Sequence, residues 1–146
     1  EDARRLALVD EDEATLLASR ERPIVLLRKR PGAAVSELVA PGHSHLGILL
    51  PYSPLHHLMA SARPLVLTSG NRSDEPIARS NEEAVARLGD LADDFLLHDR
   101  EIQVVCDDSV VRVWRGHELP LRRRRTWRLL LTGIGRHETR RRQGDT

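Results

Sequence analysis

The sequence PLVLTSGNRSDEPIA, residues 64–78, decides the predicted fold. Its first four residues form an apolar run that is typical of a buried strand, and small polar residues then end the run abruptly. The sequence therefore predicts a polar loop at the carboxyl end of a strand. In open α/β sheets, ligands bind at that end because the loops there form a crevice beside the sheet.

The side chains of this loop suit a nucleotide or an anion. Ser69 offers a hydroxyl, Asn71 offers an amide, and Gly70 allows the backbone to approach a ligand closely. The same residue types also occur in plain turns after strands, and turn chemistry alone favours that simpler interpretation. On the residues of the loop alone, both interpretations stay open.

The composition is typical of a globular protein with an aliphatic core. Of 146 residues, 40% are hydrophobic, 31% are charged and only 3% are aromatic, so Leu, Val, Ile and Ala must fill the core. This length fits one domain. No apolar run approaches a membrane span and the N-terminus does not resemble a signal peptide, so we expect a cytoplasmic location and no membrane partner.

Cysteine and histidine offer little chemistry in this sequence. The single Cys106 cannot form an internal disulfide or a multi-thiolate metal site, and the acidic neighbours Asp107 and Asp108 favour an inert thiol over a nucleophile. His56 and His57 are adjacent on a predicted helix and diverge by about 100°, which makes them a poor chelating pair. We predict no metal site and no catalytic nucleophile.

Apolar runs and helical patterns alternate along most of the chain. The sequence predicts buried strands at 24–27 and 46–50, a third apolar run at 95–97 and a hairpin at 109–121. It also predicts a helix at 10–19, a helical turn at 35–39 and a helix from Asn81 to Gly89. A further helix is capped by Ser53, and its apolar stripe is Leu55, Leu58 and Met59. The fold class that follows is α/β (α+β), a twisted mixed open sheet with flanking helices.

Positive charge is concentrated at the C-terminus. Residues 1–121 hold 14 basic and 20 acidic residues, whereas residues 122–146 hold nine arginines and two acidic residues. Residues 126–146 show no strand pattern, so we expect a basic tail that is disordered or translated out of frame. Such a tail also raises a nucleic-acid hypothesis.

Five segments together resemble the YrdC-like domain of the hydrogenase maturation carbamoyltransferases, the HypF family. In order, they are RPIVLL (22–27), LGILLPYSPLHHL (46–58), TSGNRSDEPIA (68–78), FLLHDR (95–100) and CDDSVVRV (106–113). The resemblance identifies residues 1–125 as the C-terminal part of such a domain. The family carries a Lys-x-Arg pair and a Lys-Pro-Phe segment upstream of its RPIVLL strand, so we expect an N-terminally truncated fragment.

The resemblance implies a domain that binds ATP with Mg2+ and activates a carbamoyl group. In the family, an acylphosphatase domain hydrolyses carbamoyl phosphate, and the YrdC-like domain joins the resulting carbamate to AMP with release of pyrophosphate. A further domain passes the carbamoyl group to the C-terminal cysteine of a hydrogenase maturation partner protein. The superfamily is also described as binding double-stranded RNA.

The resemblance also implies the residues of the site. The superfamily's Ser-x-Asn signature falls on Ser69 and Asn71, which we expect to touch the phosphate and carbamoyl region of the adenylate. Adenylation relies on fixed donors and cations rather than on a protein nucleophile. The further donors and phosphate contacts that we expect are Thr68, Gly70, Ser73, Ser109, Arg122 and Arg123.

Three functions remain open from the sequence. The first is carbamoyl adenylation within a longer carbamoyltransferase, for which we predict no turnover by this chain alone because the upstream cations of the family are missing. The second is a non-catalytic nucleotide or double-stranded RNA binding module. The third is an inactive gene fragment.

Overall fold

The aliphatic run at residues 24–27 forms the centre of a mixed sheet in the computed structural model, which describes residues 1–60 and 63–122. The strands are β1 (Ala7–Leu8), β2 (Ile24–Lys29), β3 (His45–Ile48), β4 (Val110–Trp114) and β5 (His117–Arg122). The α-helices are α1 (Asp2–Leu6), α2 (Glu11–Ala18), α3 (Pro54–Met59) and α4 (Asn81–Leu88), and a short 3-10 helix spans Glu37–Val39.

β2 pairs with three other strands. It runs antiparallel to β3 and to β1, and parallel to β4, where Ile24 lies opposite Val110. β4 continues into the antiparallel β5, which forms the predicted hairpin. The order along the main path is β1-β2-β4-β5, with β3 attached to β2. The predicted mixed sheet with flanking helices is confirmed.

The apolar core lies between α2 and the sheet. Leu16 and Leu17 of α2 pack into a buried cluster with β2, in which Val25 and Leu27 are 0% exposed. The helix begins where a capping box satisfies its first N–H groups: the Glu13 N–H donates to Asp10 Oδ1 at 2.8 Å, and the Asp10 N–H donates to Glu13 Oε2 at 3.0 Å. The predicted aliphatic core and the helix at 10–19 are thus present.

The described residues divide into two units. The first contains residues up to Val66 and those from Asp108 onward, and it holds the whole sheet, α1, α2 and α3. The second, Leu67–Asp107, holds α4. No residue described in the second unit is buried. This unit is therefore held by hydrogen bonds and ion pairs rather than by an apolar core.

The strand predicted at residues 64–67 is wrong. These residues form no strand, and Leu65, Val66 and Leu67 are 38%, 75% and 51% exposed. An apolar run becomes a strand only where a neighbouring backbone accepts its hydrogen bonds, and in the part of the chain that the structure describes no strand pairs with this run. The apolar run at 95–97 forms no strand either.

The apolar stripe predicted for α3 is also wrong. Ser53 caps this helix as predicted, since its Oγ accepts the His56 N–H at 3.2 Å. However, Leu55 is 45% exposed and Leu58 is 75% exposed. The half-buried side chain is His56, whose ring stands nearly perpendicular to the ring of Tyr52 with centroids 4.5 Å apart. The helical spacing predicted which residues share a face of α3, but it could not predict which face packs against the rest of the protein.

α4 begins at Asn81 as predicted, but Asn81 is not its cap. Ser80, rather than Asn81, caps the helix, because the Glu83 N–H donates to Ser80 Oγ at 3.1 Å. The Asn81 amide instead donates to the carbonyl of His98 at 2.6 Å. Gly89 ends the helix as predicted. The prediction for the tail at 126–146 lies outside the described residues.

Candidate functional site

The Asn71 side chain stabilises the central loop, which we define as residues 68–78. Its Nδ2 donates to the carbonyl oxygens of Arg72 at 2.8 Å and Glu75 at 3.1 Å. The Ala78 N–H donates to the Gly70 carbonyl at 2.9 Å and closes the loop across its base. The Asn71 side-chain amide thus supplies hydrogen bonds that the backbone of this loop does not make by itself.

Ser69 is joined to the same amide group. The Ser69 hydroxyl donates to Asn71 Oδ1, and the Asn71 N–H donates to the Ser69 carbonyl at 3.0 Å. Both polar ends of the Asn71 carboxamide therefore have partners inside the loop. A hydroxyl has a single hydrogen, so Ser69 must turn away from Asn71 to donate to an anionic ligand, whereas the loop keeps its shape through the two Nδ2 bonds.

Two arginines join the central loop to α4. Arg87 Nη2 lies 2.8 Å from Glu75 Oε2 and donates to the Pro76 carbonyl at 2.6 Å. Arg72 Nε donates to the Arg87 carbonyl at 2.9 Å, near the C-terminal end of the helix. We define the loop–helix network as these contacts together with two further ion pairs, Arg87 with Glu83 and Arg72 with Asp90.

The loop–helix network shifts the pKa values of its members. The backbone N–H of Arg79 and the guanidinium of Arg87 hold the pKa of Glu83 below its ordinary value. The guanidinium of Arg72 holds the pKa of Asp90 below its ordinary value, and the Glu75 carboxylate raises the pKa of Arg87. All three shifts favour the charged forms, as expected for hydrogen-bonded ion pairs.

Acidification is expected to weaken the loop–helix network. A carboxyl with a lowered folded-state pKa contributes stability that is present above its unfolded-state pKa and is lost as the pH falls through the folded value. For Glu83 and Asp90 that loss falls below about pH 4. The measurement is an NMR titration of the Asn71 side-chain amide, with the Val25 backbone amide as the control. Asn71 signals that stay constant until the Val25 amide reports global unfolding would contradict the network.

The structure places the predicted site residues in both units. Thr68, Ser69, Gly70, Asn71 and Ser73 lie together in the central loop, and the first three and Ser73 are exposed.

The remaining predicted site residues belong to the first unit or lie outside the described residues. Ser109 directly precedes β4, and its carbonyl accepts the Ile24 N–H at 2.9 Å. Arg122 ends β5 opposite Val110. Arg123 lies outside the described residues. The assignment of phosphate contacts to Ser109, Arg122 and Arg123 stays a prediction.

Sequence reasoning missed the residues of the loop–helix network. Glu83 and Arg87 stand four positions apart on a predicted helix, which is the spacing of a helical ion pair. That signal was available. The contact between Arg87 and Glu75 joins residues that are twelve positions apart across a loop, and no local pattern predicts it.

Two aromatic clusters lie in the first unit. Tyr52 Oη donates to Asp108 Oδ1 at 3.3 Å, and its ring packs on His56. Trp114 is 54% exposed, with the guanidinium groups of Arg112 and Arg115 each 5.7 Å from its ring centroid.

Neither a metal site nor a membrane span is visible in the described residues. Across residues 1–60 and 63–122, no three His, Cys, Asp or Glu side chains converge in a way that could hold an ion. Within the same residues, no helix has the length and apolar character needed to cross a bilayer.

The family model Sua5_yciO_yrdC, described as "Telomere recombination", matches residues 1–124. The chain belongs to this family. Carbamoyltransferase HypF2 of Cupriavidus necator is 51% identical, over 68% of this chain and 14% of that protein. Carbamoyltransferase HypF of Synechocystis sp. is 46% identical, over 77% of this chain and 15% of that protein. The chain thus spans only a small part of the curated relatives that it matches.

Solved structures of HypF proteins share the fold. A structure described as full-length HypF in the phosphate- and nucleotide-bound form is 42% identical with a TM-score of 0.78, covering 84% of this chain and 20% of that one. The structure of T. kodakarensis HypF is 39% identical with a TM-score of 0.79, covering 84% of this chain and 16% of that one. The predicted resemblance to the YrdC-like domain of HypF proteins is confirmed.

Proposed function

We propose that this chain is the part of a HypF-type carbamoyltransferase that binds ATP and joins carbamate to AMP. The carbamate derives from carbamoyl phosphate. A carbamate oxygen attacks the α-phosphorus of ATP, the bond between the α- and β-phosphates breaks, and pyrophosphate leaves. The whole enzyme would then carbamoylate the C-terminal cysteine of a hydrogenase maturation partner.

One observation carries this proposal: the 42% identity and TM-score of 0.78 to a HypF structure described as nucleotide-bound. That identity is well above the level at which similarity indicates only a shared fold. The proposed substrate is an anion, so its site needs donors that are fixed before the ligand arrives. Internal hydrogen bonds set the shape of the central loop, which supports a site of this kind.

The presence of glycine at position 70 favours a ligand site beside the central loop. Its φ is not positive, so its backbone conformation does not require glycine. A Cβ at Gly70 would lie 3.8 Å from Leu88 Cδ1, which is ordinary contact, so packing does not require glycine either. Glycine at this position leaves the backbone open to close approach by a ligand.

The donors around Gly70 fit a phosphate group. Thr68 and Ser73 have exposed hydroxyls on either side of the Ser69–Asn71 pair. A phosphate accepts hydrogen bonds only, so these hydroxyls would donate to it. Mg2+ would be held by the ATP phosphates and by water, since in residues 1–60 and 63–122 no side-chain cluster could hold an ion by itself.

Calorimetric titration with Mg-ATP tests the proposal. We expect saturable binding that weakens about tenfold or more in Asn71→Ala, equivalent to about 1.4 kcal/mol, because the variant loses the amide that shapes the loop. The matched control is Asn81→Ala, which removes the same group from a residue bonded to His98 outside the loop. Circular dichroism shows that each variant is folded.

The opposite results have clear meanings. Equal affinities in the parent chain and Asn71→Ala would place the nucleotide elsewhere. If a folded parent chain ignored Mg-ATP but bound double-stranded RNA with a steep salt dependence, the binding-module alternative would replace the adenylation proposal.

A further inference from the structure

Arg87 is the side chain with the most contacts in the loop–helix network. Its Nε and Nη2 both donate to Glu75 Oε2, at 3.2 and 2.8 Å, and Nη2 also donates to the Pro76 carbonyl at 2.6 Å. Its Nη1 donates to Glu83 one turn earlier in α4. The side chain is only 22% exposed. Arg87 thus fixes the second half of the central loop against the helix.

These contacts continue to the predicted ligand residues. Glu75 receives Arg87 on its carboxylate and the Asn71 amide on its backbone carbonyl. Asn71 in turn accepts the Ser69 hydroxyl. An unbroken series of contacts therefore joins Arg87 to Ser69 through Glu75 and Asn71.

The other carbonyl that holds Asn71 is also anchored to α4. Asn71 Nδ2 donates to the Arg72 carbonyl, and the Arg72 side chain donates to the Arg87 carbonyl and pairs with Asp90. Both acceptors of the Asn71 amide thus belong to residues that bind the helix. The orientation of this amide is set by α4 and not by the loop sequence alone.

We propose that Arg87 is a positioning residue for nucleotide binding, which sets the orientation of Asn71, and with it the shape of the central loop, through Glu75. This inference rests on the proposed function. Arg87 acts on the ligand only through the central loop. Arginine suits this role because its planar guanidinium serves three acceptors in fixed directions, whereas the lysine ammonium is a flexible point charge.

NMR of the free chain tests the positioning step without any ligand. The chain has two asparagines, so its side-chain amide spectrum contains an internal reference. In Arg87→Ala, the Asn71 amide signals are expected to move toward the shifts of a free amide and to exchange faster with water. The Asn81 amide signals should stay in place, because their partner is the His98 carbonyl. Unchanged Asn71 signals would overturn the inference.

Mg-ATP titration tests the consequence for binding. We expect the affinity to fall about tenfold in Arg87→Ala and to recover in part in Arg87→Lys. Lysine restores the positive charge but not the planar guanidinium that reaches three acceptors. The matched control is Arg5→Ala, which breaks the exposed ion pair of Arg5 with Asp2 in α1 and should leave the affinity unchanged. Circular dichroism shows that each variant stays folded.

The two proposals fail in different ways. If the parent chain binds no Mg-ATP, the proposed function fails and this inference fails with it. If the parent chain binds Mg-ATP and Asn71→Ala does not, but Arg87→Ala binds like the parent, only the positioning role is overturned. Full recovery of the affinity in Arg87→Lys would overturn the role given to the planar guanidinium, because charge alone would then be sufficient.

Discussion

Replacing Leu27 with alanine is expected to lower the free energy of unfolding by about 2–5 kcal/mol. Leu27 is 0% exposed and lies in the cluster where β2 meets α2. The substitution removes buried aliphatic atoms and leaves a cavity that close-packed neighbours cannot fill. Domains are stable by only about 5–15 kcal/mol, so this loss is a large fraction of the total. Urea denaturation followed by circular dichroism measures it.

The same substitution on the surface provides the control for Leu27→Ala. Leu38 is 87% exposed, so Leu38→Ala should change the free energy of unfolding by no more than about 0.5 kcal/mol. The comparison separates burial from the general effect of shortening a leucine. Equal losses in the two variants would show that the core does not lie where β2 meets α2.

Local signals in the sequence predicted much of the sheet unit. The aliphatic run at 24–27 became the central strand, and Asp10 and Ser53 act as caps at the starts of α2 and α3. These signals work because a cap or a turn is decided by residues three or four positions apart. The fold class followed from the alternation of such elements.

Signals of the same strength failed where partners decide the outcome. Leu65, Val66 and Leu67 are aliphatic like the run at 24–27, yet they form no strand. The helical spacing on α3 was read correctly, but the exposure of Leu58 shows that spacing does not say what a face packs against. Hydrophobicity predicts that a segment can be buried, but burial also requires another segment of the protein to pack against it.

The Ser-x-Asn motif suggested the candidate site, but the hydrogen bonds inside the central loop were not predicted. The Ser-x-Asn pattern pointed to the central loop, and family resemblance supplied the nucleotide. The sequence could not show that the Asn71 amide donates to the loop's own carbonyls, nor that Arg87 reaches Glu75. Both depend on distances between groups that no local pattern encodes.

Backbone amides of Leu67–Asp107 are expected to exchange with solvent deuterium about a hundredfold faster, or more, than those of β2. The buried apolar cluster lies entirely in the unit that contains the sheet, whereas no residue described in Leu67–Asp107 is buried. Segments without a buried core open locally at a free-energy cost far below that of global unfolding. Hydrogen exchange read by mass spectrometry measures the difference, and equal protection of the two segments would contradict it.

Saturation with Mg-ATP should then slow exchange in the central loop. A ligand that binds only the closed form stabilises it by about 2.7 kcal/mol at a hundredfold excess over Kd, which slows exchange through opening about a hundredfold. Amides of α1 are the control: this helix has no buried residue, so it frays without opening the loop and should keep its rates. Slower exchange in the loop with unchanged rates in α1 would show that the nucleotide binds at residues 68–78. Unchanged rates in the loop under saturating nucleotide would show that binding, if present, occurs elsewhere.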